Sequence, residues 1–356
     1  MRKPSELAHR IQAVARAARA APACLPSSAD SRIFANSLSR TARVAPDSSA
    51  DLETLASVLR DSGRYQVLPR LMRRDRYADD DGTPRCTALF VDVETTGLDR
   101  ASDEIIELAI APFEYGRATG LVYTAAEPQI WFEEPAREIP DHVVRLTGIT
   151  SDMVRGTRID DDAVNRLVER ADLIVAHNAG FDRPFLEKRL PAFATKPWGC
   201  SCHDIPWKEM GYASLSLDYL LYKHCGVAFD GAHRAGADCE GGIRLLAEPY
   251  PKPGAHTFAV LRRNCRLGTM RVWAIGSPIE KKDVLKARGY QWSPGNDGRT
   301  RAWYRDQPAA SANAARAIGS AECEWLEREI YERPSPQIEV RFLDAYVRYS
   351  GRELHV

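Results

Sequence analysis

The succession of apolar segments between residues 87 and 246 constrains the fold of this chain more than any other feature of its 356 residues. Three segments that predict strands come first and are joined by short links, at residues 87–93, at 104–112, and at 121–124 with 129–132, the third being interrupted by Glu127-Pro128. Helices are then predicted at 160–171, 179–189, 215–224 and 234–246, with a strand at 172–176. This order predicts an α/β fold, a mixed sheet flanked by helices, with its functional site at the carboxyl ends of the strands.

The sequence before residue 86 predicts two further regions. Residues 1–50 are expected to form a basic, partly disordered arm, rich in Arg and Ala and ending in Ser- and Pro-containing sequence. Residues 51–85 are expected to form a helical hairpin and a linker, because Leu52, Leu55 and Leu59 recur at helical spacing and residues 67–71 extend the pattern.

The sequence after residue 248 predicts a linker at 249–256 and a small α+β accessory domain at 257–356. Strands are expected at residues 257–265, 269–275, 290–293, 300–305 and 337–342. One helix is expected to begin at Ser277 as N-cap and to end at Gly289, and a longer helix is expected over residues 309–331.

The formal net charge is zero, from 49 Lys and Arg against 49 Asp and Glu. By segment, residues 1–50 carry +5, residues 51–254 carry −10 and residues 255–356 carry +5. Zero net charge therefore excludes only a uniformly basic surface, since two basic flanks on an acidic centre remain compatible with phosphate binding.

The eight cysteines contain no C-x-x-C pair, which favours reduced thiols and a cytoplasmic protein over a disulfide framework. A zinc site from Cys200, Cys202 and His203, with His224 and Cys225, is an alternative whose spacing fits no common metal pattern. The Arg- and Ala-rich amino terminus fits a mitochondrial transit helix or a basic arm, and the Ala and Arg bias of the entire chain favours the arm. No apolar run is long enough to span a bilayer, so no membrane partner is expected.

Acidic residues stand out in three places, two of which lie at the carboxyl ends of predicted strands. Asp92 and Glu94 end the first strand on one face, and Asp182 lies in the first turn of the helix after strand 172–176. His233 and Asp238 are five residues apart and cannot share a helix face, so His233 is placed at the helix entry. Neighbouring ionised carboxylates repel unless something positive lies between them. The alternative readings are solvated strand-end acids, a helix-dipole charge and a structural histidine.

These motifs resemble the DEDDh family of 3′-5′ exonucleases, the group that contains the proofreading epsilon subunit of bacterial replicases. The matching segments are VDVETTGLD at 91–99, HNAGFD at 177–182 and HRAGAD at 233–238, with RLTGIT at 145–150 also typical of the family. The resemblance covers residues 86–248 and implies a ribonuclease H-like mixed five-stranded sheet for this exonuclease domain.

The resemblance also implies a set of site residues. Two divalent cations, Mg²⁺ or Mn²⁺, would be held by Asp92, Glu94, Asp182 and Asp238, in agreement with the preference of hard cations for oxygen ligands. His233 would take a proton from the attacking water. The implied substrate contacts are Thr95, Gly97, Leu98 and Asn178, where Leu98 would wedge beside the terminal base.

Aromatic and basic residues alternate in two predicted strands of the accessory domain. Arg301, Trp303 and Arg305 share a strand face, and Arg271 and Trp273 share another. Such a surface would hold phosphates and stack bases, so these residues form a candidate platform for a nucleic-acid strand. The alternative is that the tryptophans are buried, with the arginine stems lying along them.

The expected function is hydrolysis of 3′-terminal phosphodiesters of mainly single-stranded DNA, releasing nucleoside 5′-monophosphates in DNA repair or replication. The alternatives are a proofreading subunit of a DNA polymerase, an RNA 3′-end exonuclease and a catalytically idle nucleic-acid-binding protein. The folded C-terminal unit and the lack of a clean Q-x-x-L-x-F-like clamp-binding peptide oppose the polymerase subunit. The complete set of carboxylates opposes the idle protein, because carboxylates without metals repel phosphate.

Overall fold

A computed structural model describes residues 49–231, 233–251, 254–295, 300–352 and 354–355. The chain divides into two units, residues 1–69 and 70–356, and each is described by itself. The predicted basic arm lies outside the described residues except for its last two positions. Among the residues described, no helix combines the length and the apolar character that crossing a membrane requires.

The described part of the first unit contains one helix, α1 (Ser49–Asp61). The predicted second helix of the hairpin, over residues 67–71, is wrong. Pro69 disfavours helical backbone at the residue before it, and Leu71, which belongs to the second unit, donates its backbone N–H to the carbonyl of Ala228 at 2.8 Å. That hydrogen bond belongs to a short parallel bridge between Arg70 and Ala228.

The second unit begins with a mixed sheet. Its strands are β1 (Arg85–Thr95), β2 (Ile105–Gly116), β3 (Val122–Ala125), β4 (Gln129–Phe132), β5 (Leu173–Ala176) and β6 (Trp198–Cys200). The order is β3–β2–β1–β5–β6, and β4 pairs with β2 beside β3, so six strands occupy five positions. Strands β1, β5 and β6 are parallel and the other pairs antiparallel, which confirms the predicted mixed sheet.

Helices cover both faces of this sheet. They are α2 (Asp141–Thr147), α3 (Ser151–Val154), α4 (Asp161–Arg170), α5 (Ala179–Arg189), α6 (Leu217–Leu220) and α7 (Ala235–Ala247). Alternate residues of β1 enter different cores: Phe90 packs with residues of α7, and Val91 packs with residues of α4 and α5. Both faces are therefore buried, and because β1, β5 and β6 are parallel, their carboxyl ends meet at one edge.

Residues 257–265 form a helix, α8 (Thr257–Cys265), and the predicted strand there is wrong. Phe258, Leu261 and Cys265 are fully buried and lie in the same core as Phe90, beside the first sheet. Their spacing of three and four residues is the helical signal, which β-branched Thr257 and Val260 obscure. The second sheet consequently begins at β7 (Thr269–Ala274).

The second sheet is antiparallel, with the order β11–β10–β7–β9–β8. Its other strands are β8 (Gln291–Ser293), β9 (Ala302–Pro308), β10 (Ile338–Leu343) and β11 (Leu354–His355), and its helices are α9 (Lys282–Ala287) and α10 (Ala312–Leu326). The α+β class is confirmed. The helix predicted from residue 309 begins at 312, because the Ser311 side chain accepts a hydrogen bond from the Ala314 N–H. The helix predicted from Ser277 opens as a 3₁₀ turn whose N-cap is Pro278.

The segment after β10 returns to the first sheet and is fastened there by an arginine. Arg183 of α5 is fully buried and donates to the carbonyl oxygens of Ala345 at 3.1 Å, Arg348 at 2.6 Å and Tyr346. It also pairs with Glu187 at 2.6 Å. Burial lowers the pKa of Arg183 to about 10. The guanidinium is stable there because it replaces its lost hydration with these acceptors.

Close approach of α7 to the sheet requires glycine at position 242. A Cβ atom at Gly242 would overlap the ring of Phe90, which is fully buried. We expect Gly242→Ala to lower the free energy of unfolding by about 1–3 kcal/mol. Gly180→Ala is the control, because nothing lies within 4 Å of its added Cβ and helical alanine is favoured by about 0.5–1 kcal/mol. Equal stability of the two variants in thermal unfolding would contradict this packing.

Loss of the Arg183 side chain is expected to weaken the attachment of the C-terminal segment. Arg183→Ala would leave one buried and two partly buried carbonyl groups without this donor, at a cost of about 3 kcal/mol. Arg352→Ala is the matched control, because Arg352 pairs with the same Glu187 but is exposed and should contribute less than about 1 kcal/mol. Limited proteolysis of the C-terminal segment and thermal unfolding measure the difference. An equal loss of stability in both variants would contradict the proposed role of Arg183 in attaching this segment.

Candidate active site

Three carboxylates meet at the carboxyl end of β1. Asp92 and Glu94 project from one face of the strand, and Asp238 lies in the first turn of α7. The carboxylate oxygens of these three residues lie within 4.8 Å of one another. In the part of the chain that the structure describes, no other group of three Asp, Glu, His or Cys side chains has this geometry.

The fourth predicted carboxylate, Asp182, lies in the first turn of α5 and is only 2% exposed. Its Oδ1 accepts a hydrogen bond from the backbone N–H of Val93 at 3.2 Å, which fixes it against the end of β1. Its Oδ2 is buried and has no hydrogen-bond partner among the described residues. A buried oxygen without a donor is unfavourable, and a cation would supply the missing partner. The residues present therefore fit a divalent metal.

The electrostatics of the cluster also favour a cation. Burial, and then repulsion from Asp182 and the other acids, raises the pKa of Asp92 well above its usual range. Burial also raises the pKa of Asp182 strongly, and it raises the pKa of Glu94 to about 8 and of Asp238 to about 7. These carboxyls resist ionisation in the absence of positive charge, so a bound cation would return them to the ionised form.

His233 is exposed and stands immediately before α7, as the sequence predicts. Its backbone adopts a left-handed conformation, with φ of 67°. The next residue, Arg234, donates from Nη2 to the Glu107 carboxylate at 3.0 Å, and Glu107 also accepts the Ala235 N–H at 3.1 Å. The entry to α7 is thus fixed on β2 while the His233 side chain remains in solvent.

Glu107 was not among the predicted site residues. It is fully buried in β2, directly opposite Glu94 in the sheet register. The available signal was a glutamate inside an otherwise apolar strand, since buried acids are rare unless paired. Its pairing with Arg234 gives Glu107 a positioning role for the helix that carries Asp238.

The predicted substrate contacts lie at the same edge of the sheet. The hydroxyl of Thr95 donates to the Gly97 carbonyl at 2.5 Å, and Leu98 is 86% exposed. Asn178 is exposed after β5, with φ of 72°. Gly97 does not have positive φ; an added Cβ there would instead overlap the Asp103 carboxylate. The nucleotide contacts of these residues stay predictions.

The predicted platform of Arg271, Trp273, Arg301 and Trp303 does not form a single surface. Antiparallel pairing places Trp273 opposite Tyr304, so Trp303 points to the other face of the sheet. Trp273 is 1% exposed, and Trp303 is 8% exposed and packs in the core of the second sheet. The prediction that both tryptophans are displayed is wrong, because each is covered by packing within this small domain. Arg301 is exposed just before β9.

The alternative zinc cluster does not assemble in the described chain. His224 hydrogen-bonds to Tyr212 Oη at 2.9 Å and to Thr257 Oγ1 at 3.2 Å. Cys200 and Cys202 are buried thiols near His203. The seven described cysteines are all free.

The model of the exonuclease (RNase_T) family matches residues 89–246, the segment that contains all four carboxylates and His233. Residues 89–246 are thus similar to the exonuclease family. The exonuclease domain is 28% identical over 165 residues to the PolC-type DNA polymerase III of Clostridium perfringens, covering 45% of this chain and 11% of that protein. It is 33% identical over 153 residues to the PolC-type DNA polymerase III of Thermotoga petrophila, covering 42% of this chain and 10% of that protein.

Among solved structures, the exonuclease domain is similar to exonuclease X in complex with 5′-overhanging duplex DNA. The identity is 25%, the match covers 45% of this chain and 89% of exonuclease X, and the TM-score is 0.35. In contrast, the chain spans only about a tenth of the length of the PolC-type polymerases that it matches. The family match over residues 89–246 confirms the predicted resemblance.

The raised pKa values predict how stability depends on pH and metal. A carboxyl whose pKa is higher in the folded than in the unfolded chain loses its stabilising contribution as pH rises through the folded value. For Glu94 the window runs from its ordinary value of 4.5 to about 8. In metal-free buffer, we expect the melting temperature to fall between about pH 5 and about pH 8, and millimolar Mg²⁺ to restore it mainly at the higher pH.

The matched variant for this measurement is Glu94→Gln, which removes one titrating group at nearly constant shape. It should flatten the fall in metal-free buffer and reduce the gain from Mg²⁺. Parallel pH profiles for wild type and Glu94→Gln, with equal responses to Mg²⁺, would contradict the assignment.

Proposed function

We propose that the chain is a metal-dependent 3′-5′ exonuclease that acts on DNA, mainly single-stranded, and releases nucleoside 5′-monophosphates. The observation that carries the proposal is the buried, unpartnered Oδ2 of Asp182 beside three carboxylates within 4.8 Å of one another, in a domain similar to the exonuclease family. Two Mg²⁺ or Mn²⁺ ions held by Asp92, Glu94, Asp182 and Asp238 would supply water activation and stabilise charge on the leaving oxygen.

His233 is proposed as the general base. Its exposed imidazole accepts a proton from the water that attacks the terminal phosphorus. The bond between that phosphorus and the 3′-oxygen of the preceding nucleotide breaks, and the 3′-oxygen leaves as a hydroxyl after taking up a proton. Arg234 and Glu107 keep the base at the edge of the site, since their ion pair fixes the backbone immediately after it.

Four residues are proposed to position the terminal nucleotide. Leu98 lies beside the terminal base, because an exposed leucine at the end of β1 offers an apolar surface for a base face. Asn178 hydrogen-bonds the strand from the end of β5, and the backbone N–H groups of Thr95 and Gly97 contact the nucleotide. These contacts would hold the scissile bond over the carboxylates.

DNA is the proposed substrate class because the relatives are DNA polymerases and the exonuclease X structure is a complex with duplex DNA. The likeness to polymerases also favours a second candidate role, proofreading for a DNA polymerase. Recovery of a stoichiometric polymerase with the affinity-tagged chain would support that role, and recovery of the chain alone would support a free-standing enzyme in repair or replication. A cytoplasmic location is proposed because seven free cysteines suit a reducing compartment.

A 5′-labelled oligonucleotide incubated with the full chain and Mg²⁺ tests the activity. We expect stepwise shortening from the 3′ end, and about a 100-fold or greater loss of kcat in both Asp182→Asn and His233→Gln. Asp152→Asn is the matched control, because Asp152 is an exposed acid of α3 that pairs with Arg155 and should retain full activity. No shortening by the wild type, or equal shortening by Asp182→Asn, would overturn the proposal.

A further inference from the structure

A cleft of about 700 Å³ lies between the two sheets of the second unit. One wall is formed by the carboxyl ends of the parallel strands: Leu98 follows β1, Asn178 follows β5 and His203 follows β6. The opposite wall is formed by the second sheet and includes Arg271 and Tyr304. The metal carboxylates lie at the same carboxyl ends, so the cleft and the carboxylates share that edge of the first sheet.

The second sheet presents an ordered polar face to this cleft. Arg271 and Asp306 are opposite each other in the register and form a two-pronged ion pair, with nitrogen–oxygen distances of 2.7 and 2.8 Å. The Arg271 guanidinium also lies 4.6 Å from the centre of the Tyr304 ring. Tyr304 Oη donates to Gln291 Oε1 at 3.2 Å. These contacts hold the ring and the guanidinium in fixed positions beside the cleft.

The charge of the lining favours a polyanion. Three arginines and two aspartates line the cleft. Arg348 pairs with Asp204 at 3.1 Å and Arg271 pairs with Asp306, which leaves Arg100 as the surplus cation among the arginines and aspartates of the lining. Flat apolar surface is supplied by Phe181 and Tyr304. Positive charge combined with aromatic rings is the composition of single-strand binding grooves.

The walls are held at a fixed separation. Arg183 anchors the segment 345–348 to α5, as described above, and Arg348 donates to the Thr269 hydroxyl at 3.1 Å at the start of β7. Tyr349 Oη donates to the same Asp204 carboxylate at 2.9 Å. The cleft is thereby formed before any ligand arrives, which reduces the entropy lost on binding.

We propose that this cleft binds the single strand immediately behind the 3′-terminal nucleotide, with Arg100 contacting phosphate and Tyr304 stacking on a base. The inference rests on the proposed function and extends it by assigning the second sheet a part in substrate binding. It replaces the predicted tryptophan platform: Arg271 remains on the binding face and Tyr304 takes the stacking position. Trp273 is buried on that same face with its ring centre 5.1 Å from that of Tyr304, and Trp303 packs in the core on the opposite face.

The test measures binding and turnover of the full chain separately. Fluorescence anisotropy with a single-stranded DNA of about 12 nucleotides, in Ca²⁺, gives Kd, and Mg²⁺-dependent shortening gives kcat and KM. We expect Arg100→Ala and Tyr304→Ala each to raise Kd and KM about five- to tenfold, with kcat at saturation changed less than about twofold. The rise in KM should shrink as the oligonucleotide is shortened to a dinucleotide, because only one nucleotide behind the 3′ terminus then remains to contact the cleft.

Two matched variants separate this role from general effects. Tyr304→Phe keeps the ring and should bind within about twofold of wild type. Arg316→Ala removes an exposed arginine of α10, outside the cleft lining, and should do the same. Wild-type affinity in Arg100→Ala and Tyr304→Ala would overturn the proposal, as would an equal loss in Arg316→Ala or an undiminished effect on the dinucleotide.

The outcome also distinguishes the cleft from the proposed activity. Tight binding of the 12-nucleotide strand without any shortening would contradict the proposed exonuclease. The Kd values of the variants, measured by anisotropy, would still show whether the cleft binds the strand. Shortening with unaltered KM in the variants would support the exonuclease and reject the cleft. Binding of a free nucleoside monophosphate that is lost in Tyr304→Ala, with unchanged strand affinity, would assign the cleft to the product instead.

Discussion

Mutual repulsion among buried and partly buried carboxylates is the constraint that shapes the central domain. Asp92, Glu94 and Asp238 lie within 4.8 Å of one another, and Asp182 buries an oxygen that has no partner among the described residues. Burial and repulsion raise the pKa values of these acids, so the folded chain holds an arrangement that it would avoid without positive charge. The surrounding structure opposes relaxation, because β1 is packed on both faces and each ligand-bearing helix is fixed to it.

The supports of the site are specific contacts. Glycine at position 242 lets α7 lie against Phe90, and Glu107 fixes the beginning of that helix through Arg234. On the other side, Arg183 follows Asp182 directly in α5. It is buried and donates hydrogen bonds to carbonyl oxygens of the C-terminal segment. The helix that supplies one carboxylate is therefore the helix on which the second sheet is anchored. This shared element connects the proposed strand cleft to the proposed catalytic centre.

The acidic motifs could be recognised from sequence because strand ends and helix starts are local features. Asp92 and Glu94 lie at the end of a strongly apolar strand, and Asp182 and Asp238 each fall in the first turn of a helix. Contacts between residues distant in the sequence could not be predicted in the same way. The face occupied by Trp303 depends on its register with β7, and the helix of residues 257–265 depends on the core that Phe258 fills. Glu107 had a visible signal, but its partner Arg234 is 127 residues away.

The number of divalent cations that the full chain binds tests the central claim most directly. Titration of the metal-free protein with Mn²⁺, with free ion followed by electron paramagnetic resonance, counts the bound ions without requiring turnover. The account predicts two Mn²⁺ per chain near neutral pH, and fewer or much weaker sites in Asp182→Asn, because that variant removes the charge beside the unpartnered oxygen. Absence of Mn²⁺ binding at millimolar concentration, or identical binding by wild type and Asp182→Asn, would contradict it.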